Sequence, residues 1–143
     1  MKKKKTIYII LTILLIIIAS VYFLYPTKLH VENVKRCNIE ITYENEKVQI
    51  NEKQKEDLIK ILNQVELYRT LRFSSYSSTI NNRAELTIEG DFNKNYNFIN
   101  ISVYSRNLND SFAQLTNGKI YRIDKEDLIH INSFLSGLKS IPI

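Results

Sequence analysis

At 143 residues, with 20 basic and 15 acidic side chains and a formal net charge of +5, the chain has room for one domain of ordinary globular composition. Lys2 to Lys5 supply four of the basic groups, so the rest of the chain holds sixteen against fifteen acidic ones and is close to neutral. A nucleic-acid binder needs a basic face to neutralise phosphates, which this balance does not supply, and the lone Cys37 excludes an internal disulfide.

In chain order, the first element is an apolar run. No charge occurs from Thr6 to Thr27, and Ile7 to Leu24 is almost wholly hydrophobic. About twenty residues at 1.5 Å rise span about 30 Å, the hydrocarbon thickness of a bilayer. In lipid the backbone must satisfy itself, so the run is expected to be helical despite its β-branched isoleucines. Tyr8 stands at one end and Tyr22, Phe23 and Tyr25 at the other, as interfacial belts, and Pro26 stops the helix. Four lysines precede the span and only Lys28 closely follows it, which puts the tail in the cytoplasm by the positive-inside rule. The expected layout is a basic cytoplasmic tail (1–5), a transmembrane helix (6–25) and an extracytoplasmic domain (26–143), single-pass in the cell membrane. The competing reading is a signal peptide cleaved at Ala19–Ser20, giving a secreted protein. Against it, the apolar run continues past that point and Ile18 fits the −3 position poorly. Cys37 is too far from the run to be a lipoprotein cysteine.

The domain reads as α+β. Leu29 and Val31, then Cys37, Ile39, Ile41 and Tyr43, alternate with polar residues as strands with one buried face. Lys47–Ile50 is a further strand after the turn Glu44-Asn45-Glu46. Asn51 caps a helix, with Gln54 placed to close a capping box and Leu58, Ile61, Leu62 and Val65 on one face. A strand over Leu67–Arg72 leads into a Ser/Tyr-rich stretch, Phe73 to Asn82. Ala84, Leu86 and Ile88 face inward on the next strand, and Ile99, Ile101 and Val103 on the one after. Asn117-Gly118 predicts a hairpin with a type I′ turn, and Asp124 caps a last helix carrying Leu128, Ile131, Leu135 and Leu138. The sum is a mainly antiparallel sheet of six to eight strands with two helices on one face. Lys55 to Ile61 and Lys125 to Ile131 repeat the pattern KEDLIxI, either as a duplicated strand–helix unit or by convergence of capped amphipathic helices, the favoured explanation.

Chemistry is sparse. The histidines are His30 and His130, and glycine occurs only at 90, 118 and 137, so no Gly-rich phosphate cradle is available. Cys37 shares the parity of Ile39 and Ile41 and reads as core rather than nucleophile. Glu126 with His130, and Asp127 with His130, are each spaced to share a helix face, but two ligands do not make a zinc site, which needs three or four. Glu89 and Asp91 flank a turn without calcium-loop spacing. No catalytic residue, cofactor or metal is expected. The strongest surface lead is the Tyr, Ser and Arg vocabulary of Tyr68, Arg69, Arg72, Tyr76 and Arg83, suited to gripping a peptide, a glycan or an anionic polymer; a solvated connection is the competing and favoured reading.

The lysine start KKKKTIYIILTILLIII and the KEDLIKI helix resemble, at the level of layout, small uncharacterised membrane-anchored extracytoplasmic proteins of low-GC Gram-positive bacteria. Heavy use of isoleucine, asparagine and lysine agrees with such a source. The resemblance implies no transferable catalytic residues. The functional expectation is a non-enzymatic accessory or binding module. Its partners are the membrane, through residues 6–25, and another membrane or envelope component, with nucleic acid excluded. The alternatives are an extracytoplasmic enzyme using His130 and nearby carboxylates, and the secreted form.

Overall fold

The structure is a computed structural model that describes residues 2–70, 83–91, 94–105, 107–116 and 118–139. Helix α1 runs from Lys2 to Leu24. Its segment Lys4–Leu24 is long and apolar enough to cross a membrane, and none of it is buried against the rest of the chain. Two hydroxyls inside the run are returned to the helix itself: Thr12 donates to the Tyr8 carbonyl (2.9 Å) and Ser20 to the Ile16 carbonyl (2.8 Å). An apolar helix that hides its polar atoms and is nowhere buried suits lipid or a signal sequence, and not a soluble core.

Among the described residues eight strands follow: β1 (Thr27–Lys28), β2 (Cys37–Tyr43), β3 (Glu46–Val48), β4 (Glu66–Arg69), β5 (Arg83–Gly90), β6 (Phe98–Tyr104), β7 (Phe112–Leu115) and β8 (Ile120–Ile123). They form one antiparallel sheet in the order β1-β4-β8-β7-β6-β5-β2-β3. Helices α2 (Glu52–Leu62) and α3 (Lys125–Lys139) complete the α+β fold. Strand alternation builds the core directly. One row of register partners runs Ile41, Leu86, Ile101, Ala113, Tyr121, Arg69 across six strands, and its apolar members meet Leu58 and Leu62 of α2 and Leu128, Ile131 and Leu135 of α3 in a single buried cluster. Both helices therefore cover the same face. On the other face a smaller buried cluster joins Tyr104, Phe112 and Ile120.

The local signals fare differently. Asn51 and Gln54 close the expected capping box, each backbone N–H meeting the other's side-chain oxygen at 2.9 Å. Asp124 likewise accepts the Glu126 N–H at 3.0 Å. Leu29 and Val31 are buried as expected but lie beyond β1, which is only Thr27–Lys28. They are held by the Val65 carbonyl, which accepts from Leu29 N–H, and by the Asn63 side chain, which brackets Val31. β4 ends at Arg69 rather than Arg72, and Leu71 to Asn82 lie outside the described residues.

The expected Asn117-Gly118 turn falls partly outside the described residues, which omit Asn117; around it Leu115 N–H reaches the Lys119 carbonyl, Gly118 N–H reaches the Leu115 carbonyl, and Gly118 is left-handed at φ +72°. A turn of the type I′ kind, with positive φ at both central positions, stands at another hairpin. The two-residue turn is Glu44-Asn45, between register partners Tyr43 and Glu46, with φ of +50° and +70°. A glutamate there is strained, which is why glycine-based pattern reading passes over it. Gly90 answers a different need: a Cβ added to it would sit 2.6 Å from the Arg36 carbonyl.

The repeated KEDLIxI segments do different work. Ile59 is buried while its counterpart Ile129 is 47% exposed. Asp57 pairs with Lys60 at the surface, whereas Asp127 accepts the backbone N–H of Glu66 in β4 at 2.8 Å. The same letters sit at different helical phases relative to the sheet, which agrees with convergence.

Candidate functional site

Helix α1 stops because of Pro26, and the stop leaves a defect. The carbonyl of Tyr22 should accept from the N–H four residues on, but that residue is proline and has none. Arg69 of β4 supplies the donor, its guanidinium reaching the Tyr22 carbonyl at 3.1 Å. The same guanidinium lies over the Tyr22 ring, 3.9 Å from its centroid. A cation at a helix C-terminus also suits the dipole there. One side chain thus joins the end of the apolar helix to the sheet.

Beside this joint is a cleft of about 560 Å³, in the size range of ligand sites. It is lined by Lys28 from β1, His30 and Glu32 from the segment after it, Arg69 from β4, Lys94 and Tyr96 from the segment before β6, and by Leu115 and Tyr121 on the sheet. Three permanent cations line it against one carboxylate. Lys28 leans on Glu66 (3.6 Å) and His30 on Glu32 (3.4 Å), both pairs solvent-exposed and weak. Among the described residues neither Arg69 nor Lys94 has a carboxylate within ion-pair distance. The Tyr96 hydroxyl accepts the His30 N–H at 2.6 Å and donates to the His30 carbonyl at 3.2 Å, fixing one wall. Burial raises the Tyr96 pKa, and Glu32 adds to it against the lowering effect of the His30 backbone bond.

The residues singled out from sequence are dispersed. Tyr68 and Arg69 alternate, so Arg69 faces the cleft side while Tyr68 lies on the opposite face, with Arg122 over its ring at 5.1 Å and its hydroxyl donating to Glu66 at 3.0 Å. That bond to Glu66 is the main cause raising the Tyr68 pKa. Arg83 starts β5, four strands away from β4 and about 19 Å across the sheet at usual spacing. There it pairs with Glu85, donates to Ser102 at 3.3 Å and leaves its Nε buried without a partner. Arg72 and Tyr76 lie outside the described residues. Sequence neighbours therefore do not form one surface with Arg83.

The remaining candidates resolve simply. Cys37 is buried, and its thiol pKa is raised by that burial, partly offset by Lys55. His130 is exposed on α3, and Asp127 is committed to β4. Asp91 pairs with Arg36 at 3.8 Å. Among the described residues no group of three or more His, Cys, Asp or Glu is placed to hold a metal ion. The cleft itself escaped sequence reading because its lining spans residues 27 to 121. The one signal available was Pro26, which announces an orphaned carbonyl at Tyr22 and hence a donor from elsewhere.

No family model, curated protein or solved structure matches this chain.

Proposed function

We propose that the chain is a single-pass membrane protein whose tail (1–5) is cytoplasmic and whose residues 26–143 form an extracytoplasmic accessory or binding module, not an enzyme. The observation that carries the reading is the joint at the end of α1. A helix apolar enough to span a bilayer, with none of it buried, runs unbroken through Ser20 to Leu24 and is fastened to the sheet by Arg69. A peptidase would have to open that helix to extended backbone at Ala19–Ser20, within reach of the fastened turn. The lysines before the span set the orientation. Against catalysis stand the exposure of His130 and the open setting of the His30–Glu32 pair, whose side chains are 68% and 46% exposed.

Protease added to intact cells is expected to digest residues 26–143, and crosslinking in the membrane to capture a reproducible partner. A domain protected from outside would reverse the orientation. Turnover of a substrate by the purified protein, with no partner captured, would replace the binding reading by the enzymatic one.

A further inference from the structure

The cleft beside α1 combines three properties that together specify a ligand chemistry. Its height is fixed: Lys28 lies four residues beyond Leu24, the last residue of α1, and Arg69 is locked to Tyr22 in the last turn of the helix. If α1 spans a bilayer, the cleft opens in the headgroup layer, which is about 5–8 Å deep on each side. Its charge is concentrated by the fold. Residues 26–143 are nearly neutral, yet Lys28, Arg69 and Lys94 converge here. Its donors are mostly uncommitted: Arg69 uses one of its N–H groups on Tyr22, Lys94 has no partner among the described residues, and Lys28 has only the weak pair with Glu66. Leu115 and Tyr121 give the floor an apolar surface that suits a glycerol backbone, and Tyr25 stands exposed at the helix end nearby.

We propose that this cleft holds the phosphate of an anionic phospholipid headgroup from the leaflet in which α1 ends. The proposal rests on the anchor reading above. Arg69, with its planar fork, and the Lys28 and Lys94 ammonium groups grip the phosphate oxygens, while the acyl chains stay in the bilayer along α1. Each cation near an anionic membrane surface contributes about a fivefold gain in partition, by the usual 1 kcal/mol. A bound headgroup would hold the sheet at a set angle to the membrane.

The test is native mass spectrometry of the full-length protein in detergent micelles, titrated with phosphatidylglycerol, phosphatidylcholine and sn-glycerol 3-phosphate. One phosphatidylglycerol per chain is expected, at least tenfold tighter than phosphatidylcholine. The double variant Lys28→Glu/Lys94→Glu should lose at least tenfold, and Arg36→Glu/Lys47→Glu, on the far edge of the sheet, should lose nothing. Both pairs are exposed, so the fold survives and melting curves check it. Equal loss in the far-edge variant, or no preference over phosphatidylcholine, overturns the proposal. Glycerol phosphate binding as tightly as the lipid overturns the lipid assignment in favour of a soluble phosphate ligand. The same spectra report the chain's mass. A chain starting at Val21 means the anchor reading has failed, whereas a full-length chain without selectivity means that only the cleft proposal has.

Discussion

The two edges of the sheet use their charges differently. At the β2–β3 edge they are matched: Lys47 meets Glu40 at 3.4 Å, Arg36 meets Asp91 at 3.8 Å, and Lys55 caps the Cys37 carbonyl. At the β1–β4 edge, next to α1, Lys28 meets Glu66 at 3.6 Å, but Arg69 satisfies a helix carbonyl and an aromatic ring instead of a carboxylate, and Lys94 has no carboxylate in reach among the described residues. Matched charges on a solvated edge contribute little and discourage strand addition. Among the described residues, Arg69 and Lys94 are two cations without acids beside an apolar helix. An almost neutral domain can therefore still present a positive site, because the fold, not the total, decides where the neutralising partners sit.

Both edges belong to one sheet over one buried cluster, and the largest expected effect tests whether they unfold as a unit. Ile101 lies in the middle of the row that links β2 to β4, fully buried. Ile101→Ala should cost about 3 kcal/mol and lower the melting of both edges together. Spectroscopic labels on β3 and β4 that melt at different temperatures would show two units instead of one.

The next effect separates the edges. Arg69→Ala orphans the Tyr22 carbonyl and removes the stacked cation, for an expected cost of about 1–2 kcal/mol, whereas Lys47→Ala should change stability by less than about 0.5 kcal/mol. Equal losses in denaturant titration would erase the distinction.

A gain is expected at the far edge. Glu44→Asn places a residue tolerant of positive φ at the first position of the Glu44-Asn45 turn and should add about 0.5–1 kcal/mol. A variant no more stable than the parent in thermal melts would argue against strain there.

The smallest effect is a pH slope at the cleft. Because burial raises the folded pKa of Tyr96 above its ordinary 10.0, its contribution is fully present below pH 10 and is lost as pH rises further, where the unfolded chain ionises first. Alkaline stability profiles should be flatter for Tyr96→Phe than for the parent; identical slopes would mean that Tyr96 ionises as freely in the fold as in the unfolded chain.

What sequence reading reached, and what it missed, follows the range of the interactions. The Asn51–Gln54 capping box and the Asp124 cap depend on residues two or three apart and were legible. The inward rows of β5 and β6 follow from parity alone. The turn at Glu44-Asn45 was not legible as type I′, because its positive φ is imposed by the pairing of β2 with β3 against the preference of glutamate. The grouping of Tyr68, Arg69 and Arg83 did not survive because alternation sends Tyr68 and Arg69 to opposite faces, and the strand order inserts β8, β7 and β6 before Arg83. Arg69 was picked out as a surface residue. Its tie to Tyr22, 47 positions away, needed the fold.

The central claim is that α1 stays attached, as the anchor to which Arg69 fastens the domain. Intact-mass measurement of the protein extracted from the membrane fraction of its own cells tests it most directly. The account predicts one species that retains the residues before Val21 and is found with the membrane. A species beginning at Val21 and recovered free of the membrane would contradict it.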